Sequence, residues 1–247
     1  MSAAASVSDP GPVRVRRVVT TRAGGRSHGP YASFNLGDHV GDDPAAVAAN
    51  RQRLAKGIGV PPERLVWMEQ VHSRTVAVVE GPQDKALPAT DALVTAQRGL
   101  ALVVVAADCV PLLLADEEAG VIAAAHAGRV GARIGIVGTT LDAMRPLGAR
   151  AERISALLGP AVCGLCYEVP EQMQHDVEAH VPGSASRTRS GTAGLDIRAG
   201  LRRALLAEGV GAVAQDPRCT MESAELFSHR RQAPTGRLAG VIWTEPS

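Results

Sequence analysis

The sequence predicts a single α/β (α+β) domain. Short apolar, β-branched runs alternate with segments of helical periodicity, and no internal repeat or linker divides the chain. Its 247 residues suffice to enclose one sizeable core. Residues 1–12, rich in Ala, Ser and Pro, read as a disordered tail before a domain over 13–247.

The elements follow in order. Val13 to Thr21 is rich in β-branched residues and predicts a strand. Residues 22–40 form a glycine-bearing loop, long for a plain connection, and such loops often carry function. Asp42-Asp43-Pro44 starts a helix, with acidic caps and a proline in the first turn, and Gly57 and Gly59 end it. Strands are expected at 65–67, 75–79 and 92–95. Leu100 to Ala106 and Val121 to Ala125 are continuous apolar runs, as strands buried on both faces require. Gly131 to Leu147 has helical spacing, Ile154 to Leu158 is a strand, and Pro170 to His180 is a helix with His175 and His180 on its surface. Pro182 to Gly194 reads as a flexible loop, Leu195 to Glu208 as a helix, and Leu238 to Trp243 as a closing strand.

Charge excludes several function classes. With 26 basic and 25 acidic side chains there is no footprint for nucleic acid and no field to draw a membrane surface. The longest apolar run, Leu100 to Ala107, falls well short of the roughly 18 residues of a membrane span. The N-terminus lacks a basic segment followed by an apolar one, so it does not read as a secretory signal. Four cysteines are too few for a disulfide scaffold, and the expected setting is reducing and cytoplasmic. No sequence signal speaks to oligomeric state.

Polar residues at the ends of apolar segments mark candidate chemistry. His72 follows Gln70-Val71, Asp108-Cys109 ends one buried run, and His126 ends another. Two imidazoles and a thiolate can bind zinc and leave a fourth position for water, whose pKa falls to about 7 on the metal. The spacing matches no short zinc signature, so satisfied core histidines and a small buried thiol explain the same residues. His28 and His39 are candidates to line a cleft from the glycine-bearing loop. Cys163-Gly164-Leu165-Cys166 is a C-x-x-C without a second pair or the redox context, and reads as a packed turn before Tyr167, dispensable for metal and activity.

Taken in order, Thr20 to Gly25 with Ser33 to Gly37, Gln70-Val71-His72, Ala107 to Pro111 and Ala125 to Gly128 resemble one family. The agreement continues through Leu158-Gly159-Pro160, Tyr167-Glu168-Val169, Cys219-Thr220, Phe227 to Arg231 and Thr235-Gly236-Arg237. It is the YfiH-like, laccase-domain family of purine nucleoside phosphorylases, formerly described as multicopper polyphenol oxidases. The resemblance implies one α/β domain with a large mixed β-sheet flanked by helices. It also implies a catalytic zinc on His72, Cys109 and His126. The implied partners are phosphate and purine nucleosides (adenosine, inosine, guanosine, methylthioadenosine), with adenosine deamination as a side activity. Arg22, Asn35 and Arg231 match family motif positions and are expected to contact substrate.

One motif departs. Where the family reads His-Ala-Gly-Trp-Arg-Gly, this chain has His126-Ala127-Gly128-Arg129-Val130-Gly131. If the family arginine serves phosphate, Arg129 does so from a shifted position or Arg133 replaces it. Asp108, beside a ligand, has the chemistry to fix an imidazole or accept a proton, and a supporting contact behind the ligands is its expected role.

In this reading zinc-activated hydroxide attacks C6 of adenine in deamination. Phosphate attacks C1′ of the ribose in phosphorolysis, held by arginine forks. The rivals are a cysteine hydrolase with Cys109 as nucleophile, an amidohydrolase acting on another C–N bond, and a non-enzymatic structural zinc protein. The last needs Cys163 or Cys166 as a fourth ligand. A multicopper oxidase needs many histidines, commonly paired as His-x-His, and the seven here include no such pair.

Overall fold

The computed structural model describes residues 13–245; the tail expected over residues 1–12 lies outside them. The strands are β1 (Val15–Val19), β2 (Leu65–Val66), β3 (Val76–Val78), β4 (Ala92–Thr95), β5 (Ala101–Ala106), β6 (Val110–Asp116), β7 (Val121–Ala127), β8 (Ser155–Leu158), β9 (Ala185–Arg187), β10 (Ala193–Leu195), β11 (Ala212–Gln215) and β12 (Leu238–Thr244). The helices are α1 (Pro44–Ile58), α2 (Arg129–Arg133), α3 (Ile136–Met144), α4 (Glu171–His180) and α5 (Ile197–Ala207). Among them no helix is long and apolar enough to cross a membrane.

The expected mixed sheet is present as two. One has the order β1-β12-β5-β2 and the other β11-β8-β6-β7-β4-β3, each mixing parallel and antiparallel pairs. Alternation along the strands explains how the two stack. Leu102 and Val104 of β5 meet Leu113 of β6 and Ile122 of β7 between the sheets. Val103 and Val105 turn the other way, onto Leu54 and Ala55 of α1. Leu112, Leu114, Ala123 and Ala125 face α3 and α5 through Ile136, Leu141, Leu201 and Leu205. The order of layers is therefore helix, sheet, sheet, helices. Runs such as Leu100 to Ala106 are apolar throughout because both faces are covered.

Several boundaries differ from the sequence expectation, each for a local reason. β6 is absent from that expectation because Pro111 reads as a strand breaker. Pro111 sits at the strand's start, before the pairing of Leu112 with Leu158 begins, where a missing N–H is tolerated. The helix expected over 131–147 breaks at Gly135, whose φ of 93° ends α2 and starts α3. The stretch expected to be a flexible loop, 182–194, contains the hairpin β9–β10. Side chains of α4 hold it: Gln174 Nε2 donates to the carbonyls of Ser186 and Gly194 at 2.6 and 2.7 Å, and Glu178 accepts from Gly183 and Ala185. β11 is an exposed edge strand without alternation, which left no pattern to read. The α1 boundaries are as expected, with Asp43 capping the Ala45 amide and Gly59 in the left-handed conformation.

Candidate metal centre and cavity

His72, Cys109 and His126 come from three separate segments. His72 lies on the loop between β2 and β3, Cys109 just before β6, and His126 near the end of β7. Their ligand atoms all lie within 4.8 Å of one another. Cys109 Sγ is 3.8 Å from His72 Nε2, and the two imidazoles meet edge to face with centroids 4.7 Å apart.

Asp91, a residue sequence reasoning missed, organises this cluster. Its fully buried carboxylate accepts the amides of Val71, His72 and Ser73 at 3.1, 3.0 and 2.7 Å, and the Ser73 hydroxyl at 2.8 Å. It also lies 2.9 Å from His126 Nδ1. Burial raises the Asp91 pKa, but His126 and the Ser73 and Val71 donors outweigh it and hold the carboxyl at about 2. An ionised carboxylate only accepts, so Nδ1 carries the proton and Nε2 is left free as a ligand. The same anion wraps the backbone around His72, whose φ of 61° is strained for a non-glycine residue. Asp91 immediately precedes the apolar strand β4, and that was its only sequence signal.

Asp108 does not reach an imidazole; its Oδ1 accepts the Thr220 hydroxyl at 2.6 Å and its Oδ2 the Arg230 amide at 2.7 Å. It ties the C-terminal loop to the turn that carries Cys109.

The metal-free electrostatics are those of a thiolate facing an imidazolium. Burial opposes ionisation of Cys109, but the charge and hydrogen bonds of His126 and His72 prevail and bring the thiol to about 6. Burial likewise opposes the cation on His126, and Cys109 with Asp91 overrides it, raising the imidazole to about 9. Two imidazoles and a low-pKa thiolate are a borderline-soft donor set, and a hydrogen-bonded carboxylate already orients one ring. The residues present fit zinc. Space is also reserved: a Cβ on Gly128 would lie 2.7 Å from Cys109 Sγ and 3.1 Å from His72 Cδ2.

The cluster lies in a cavity of about 350 Å³, within the range of about 300–1,000 Å³ usual for small-molecule sites. Arg129, Arg230 and Arg237 bring cations to it, and Tyr167, with the Arg230 guanidinium 5.0 Å from its ring centroid, brings an aromatic wall. His39 and His229 also line it, whereas His28 is exposed and does not. Of the two arginines considered for the departed motif, Arg129 reaches the cavity; Arg133 instead pairs with Asp176 of α4.

Arg22, Asn35 and Arg231 do not line the cavity; their polar atoms hold the scaffold together. Arg231 donates to the carbonyls of Thr220, Met221, Ser223 and Leu226. Asn35 is fully buried and bonds Gly37, Asp42 and the Arg237 amide. Arg22 donates to the Ala32 carbonyl and lies over Phe227. Cys163 and Cys166 gather with Cys219 and Glu222, away from the histidine cluster, so neither supplies the fourth ligand that a closed structural site would need there.

Residues 16–245 match the family model described as multi-copper polyphenol oxidoreductase laccase. The solved YlmD of Geobacillus stearothermophilus superposes with a TM-score of 0.87 at 35% identity, covering 94% of this chain and 92% of that one. The Bacillus licheniformis hypothetical protein YfiH gives a TM-score of 0.86 at 30% identity, covering 94% and 93%. The chain belongs to the YfiH-type, laccase-like family.

Two relatives of this YfiH-type chain bear a more specific name. A Corynebacterium glutamicum protein called a purine nucleoside phosphorylase is 62% identical, covering 95% of this chain and 96% of its own. One of the same name from Mycobacterium tuberculosis is 58% identical, covering 94% and 93%. Within the YfiH-type frame, Tyr167, His229, Arg230 and Arg237 fall inside motifs legible in the sequence, but nothing there showed that they converge on the metal centre.

Proposed function

We propose that this chain is a zinc-dependent purine nucleoside phosphorylase acting on adenosine, inosine, guanosine and methylthioadenosine, with adenosine deamination as a side activity in the same cavity. The observation that carries the reading is the juxtaposition of the His72–Cys109–His126 donor set with three arginines and an aromatic ring in one cavity. Support also comes from the phosphorylase name of relatives as similar as 62%.

When bound to His72, Cys109 and His126, zinc supplies Lewis acidity and a source of hydroxide at neutral pH. The chain's own residues do the rest. Asp91 fixes the tautomer and orientation of His126 and the path of the His72 loop. Arg129, Arg230 and Arg237 offer planar forks for the phosphate dianion and draw it toward C1′ of the ribose. Tyr167 gives the purine an apolar face. The setting assigned to this enzyme is cytoplasmic, in keeping with its four free cysteines.

With adenosine and phosphate, the zinc-loaded protein yields adenine and ribose 1-phosphate by mass spectrometry; without phosphate, adenosine passes slowly to inosine. His72→Ala, Cys109→Ala and His126→Ala each lose this zinc and both activities while staying folded. If zinc-loaded protein releases no purine from any of the four nucleosides in phosphate buffer, the phosphorylase reading is wrong and the amidohydrolase takes its place. The Cys109–His126 thiolate–imidazolium pair favours one other reading, a cysteine hydrolase. Turnover that survives chelation but not iodoacetamide would mark that chemistry.

A further inference from the structure

Cys163, Cys166, Cys219 and Glu222 also present ligand atoms that all lie within 4.8 Å of one another. Read in sequence, Cys163 and Cys166 make a C-x-x-C without a second half, because Cys219 lies 56 residues downstream of Cys163. The fold brings two turns face to face. In one, the amides of Cys166 and Tyr167 donate to the Cys163 carbonyl at 3.0 Å each. In the other, the amides of Glu222 and Ser223 donate to the Cys219 carbonyl at 3.2 and 2.9 Å. The turns are joined by a bridge between Ala161 and Cys219, with the Thr220 amide 3.1 Å from the Ala161 carbonyl.

We propose that these four residues form a second, structural metal site, with zinc held by the three cysteine sulfurs and closed by the Glu222 carboxylate. Three thiolates select zinc over the hard cations, and four protein ligands leave no open position, as structural rather than catalytic sites require. The surroundings suit a thiolate cage. The Cys163 amide points at Cys219 Sγ from 3.3 Å, a donor that a bound thiolate uses and a plain apolar turn does not need. Arg189, whose amide donates to the Leu165 carbonyl within the Cys163–Cys166 turn at 3.1 Å, pairs with Glu222, holding the carboxylate and offsetting part of the cage's negative charge. Cys166 Sγ already lies 3.5 Å from Glu222 Oε1.

The site braces the catalytic cavity. Thr220, next to Cys219, donates to Asp108 beside Cys109, and its carbonyl accepts Arg231 at 2.6 Å. Arg230 donates its amide to the same Asp108 and lines the cavity. A metal on Cys219 therefore anchors the loop that carries Arg230, while Cys166 anchors the neighbouring Tyr167. This is a positioning role, and it stands whether or not the cavity catalyses phosphorolysis.

Full-length protein stripped of metal and titrated with Co²⁺ tests it without reference to turnover. The intact chain takes up two equivalents, one of them showing sulfur-to-cobalt charge transfer from three thiolates. Cys109→Ser with His126→Ala loses one equivalent and retains that three-thiolate spectrum. Cys163→Ser with Cys166→Ser loses the spectrum and keeps one equivalent. Glu222→Gln, a change at an exposed side chain that leaves folding intact, retains the charge transfer but weakens Co²⁺ binding about tenfold or more and shifts its visible bands. The proposal is overturned if the intact chain shows no three-thiolate charge transfer at any Co²⁺ ratio, however many equivalents it binds. It is also overturned if Glu222→Gln binds and absorbs like the parent, or if mass spectrometry finds a Cys163–Cys219 or Cys166–Cys219 disulfide in protein isolated without air.

Discussion

Gly128 and Asp91 show how closely the candidate metal centre depends on single atoms. Gly128→Ala places a methyl group 2.7 Å from Cys109 Sγ and 3.1 Å from His72 Cδ2, so these side chains must shift to admit it. We expect Gly128→Ala to lose at least 90% of zinc binding and activity while its thermal midpoint stays within a few degrees of the parent. Zinc retained at one equivalent in this cluster would refute the steric reading. Asp91→Asn keeps the shape but removes the anion that orders three amides and the His126 tautomer. Outer partners of this kind are typically worth about 10–100-fold in metal affinity, and competition against a chromophoric chelator reads the loss directly. The three candidate ligands were legible in the sequence because Cys109 and His126 end apolar runs and all three fall in recognisable motifs. Asp91 was not, because its role is defined only once residues 71–73 and 126 fold around it from opposite sides. The arginines show the same limit. Arg231 and Arg230 are adjacent in sequence, yet one is consumed by backbone carbonyls and the other faces the cavity.

Individual elements were legible where periodicity and caps agreed, as in α1, and lost where a contact made elsewhere decides the conformation. The hairpin β9–β10 depends on Gln174 and Glu178 of α4, and nothing in Ser184 to Gly194 announces that support. Gly135 is a sharper case: helical spacing continues through it, but its φ of 93° turns the chain. Gly135→Ala should cost about 1–2 kcal/mol in denaturant midpoints without altering the metal centre. The end of β6 carries a pH-dependent clamp. Asp116 is fully buried and accepts the amides of Glu118, Ala119 and Arg150 and the Arg153 guanidinium. Burial pushes its pKa up, but the Arg150 and Ala119 amides and Arg153 pull harder, and the net shift is downward. A carboxylate lowered in the folded state contributes its stability fully above the unfolded value of about 4 and loses it as the pH falls through the folded one. Asp116→Asn should therefore cost about 2 kcal/mol at pH 7. In thermal melts the gap between variant and parent should narrow steadily below pH 4; a gap independent of pH would assign the effect to packing instead.

At the scale of the whole molecule, the layered order of helix, sheet, sheet and helices explains why buried strands read clearly as apolar runs while their arrangement did not. A run such as Leu100 to Ala106 reveals that it is covered on both sides but not by what. The two sheets pack closely where Gly240 of β12 meets Pro111 of β6, since a Cβ there would come within 2.9 Å of the proline ring. The position of β12 has a consequence for synthesis. Because β12 pairs with β1 on one side and β5 on the other, β1 has no partner until residues 238–244 have been made. At about 5–20 residues per second, that wait is on the order of ten to fifty seconds. Throughout it the edge of β1, joined after residue 106 by that of β5, is open to wrong partners, and a ribosome stalled at residue 237 should display a chain that proteases cut readily and chaperones for apolar segments retain. The same chain extended to include β12 should resist both, so that this sheet closes in one step rather than gradually along the nascent polypeptide.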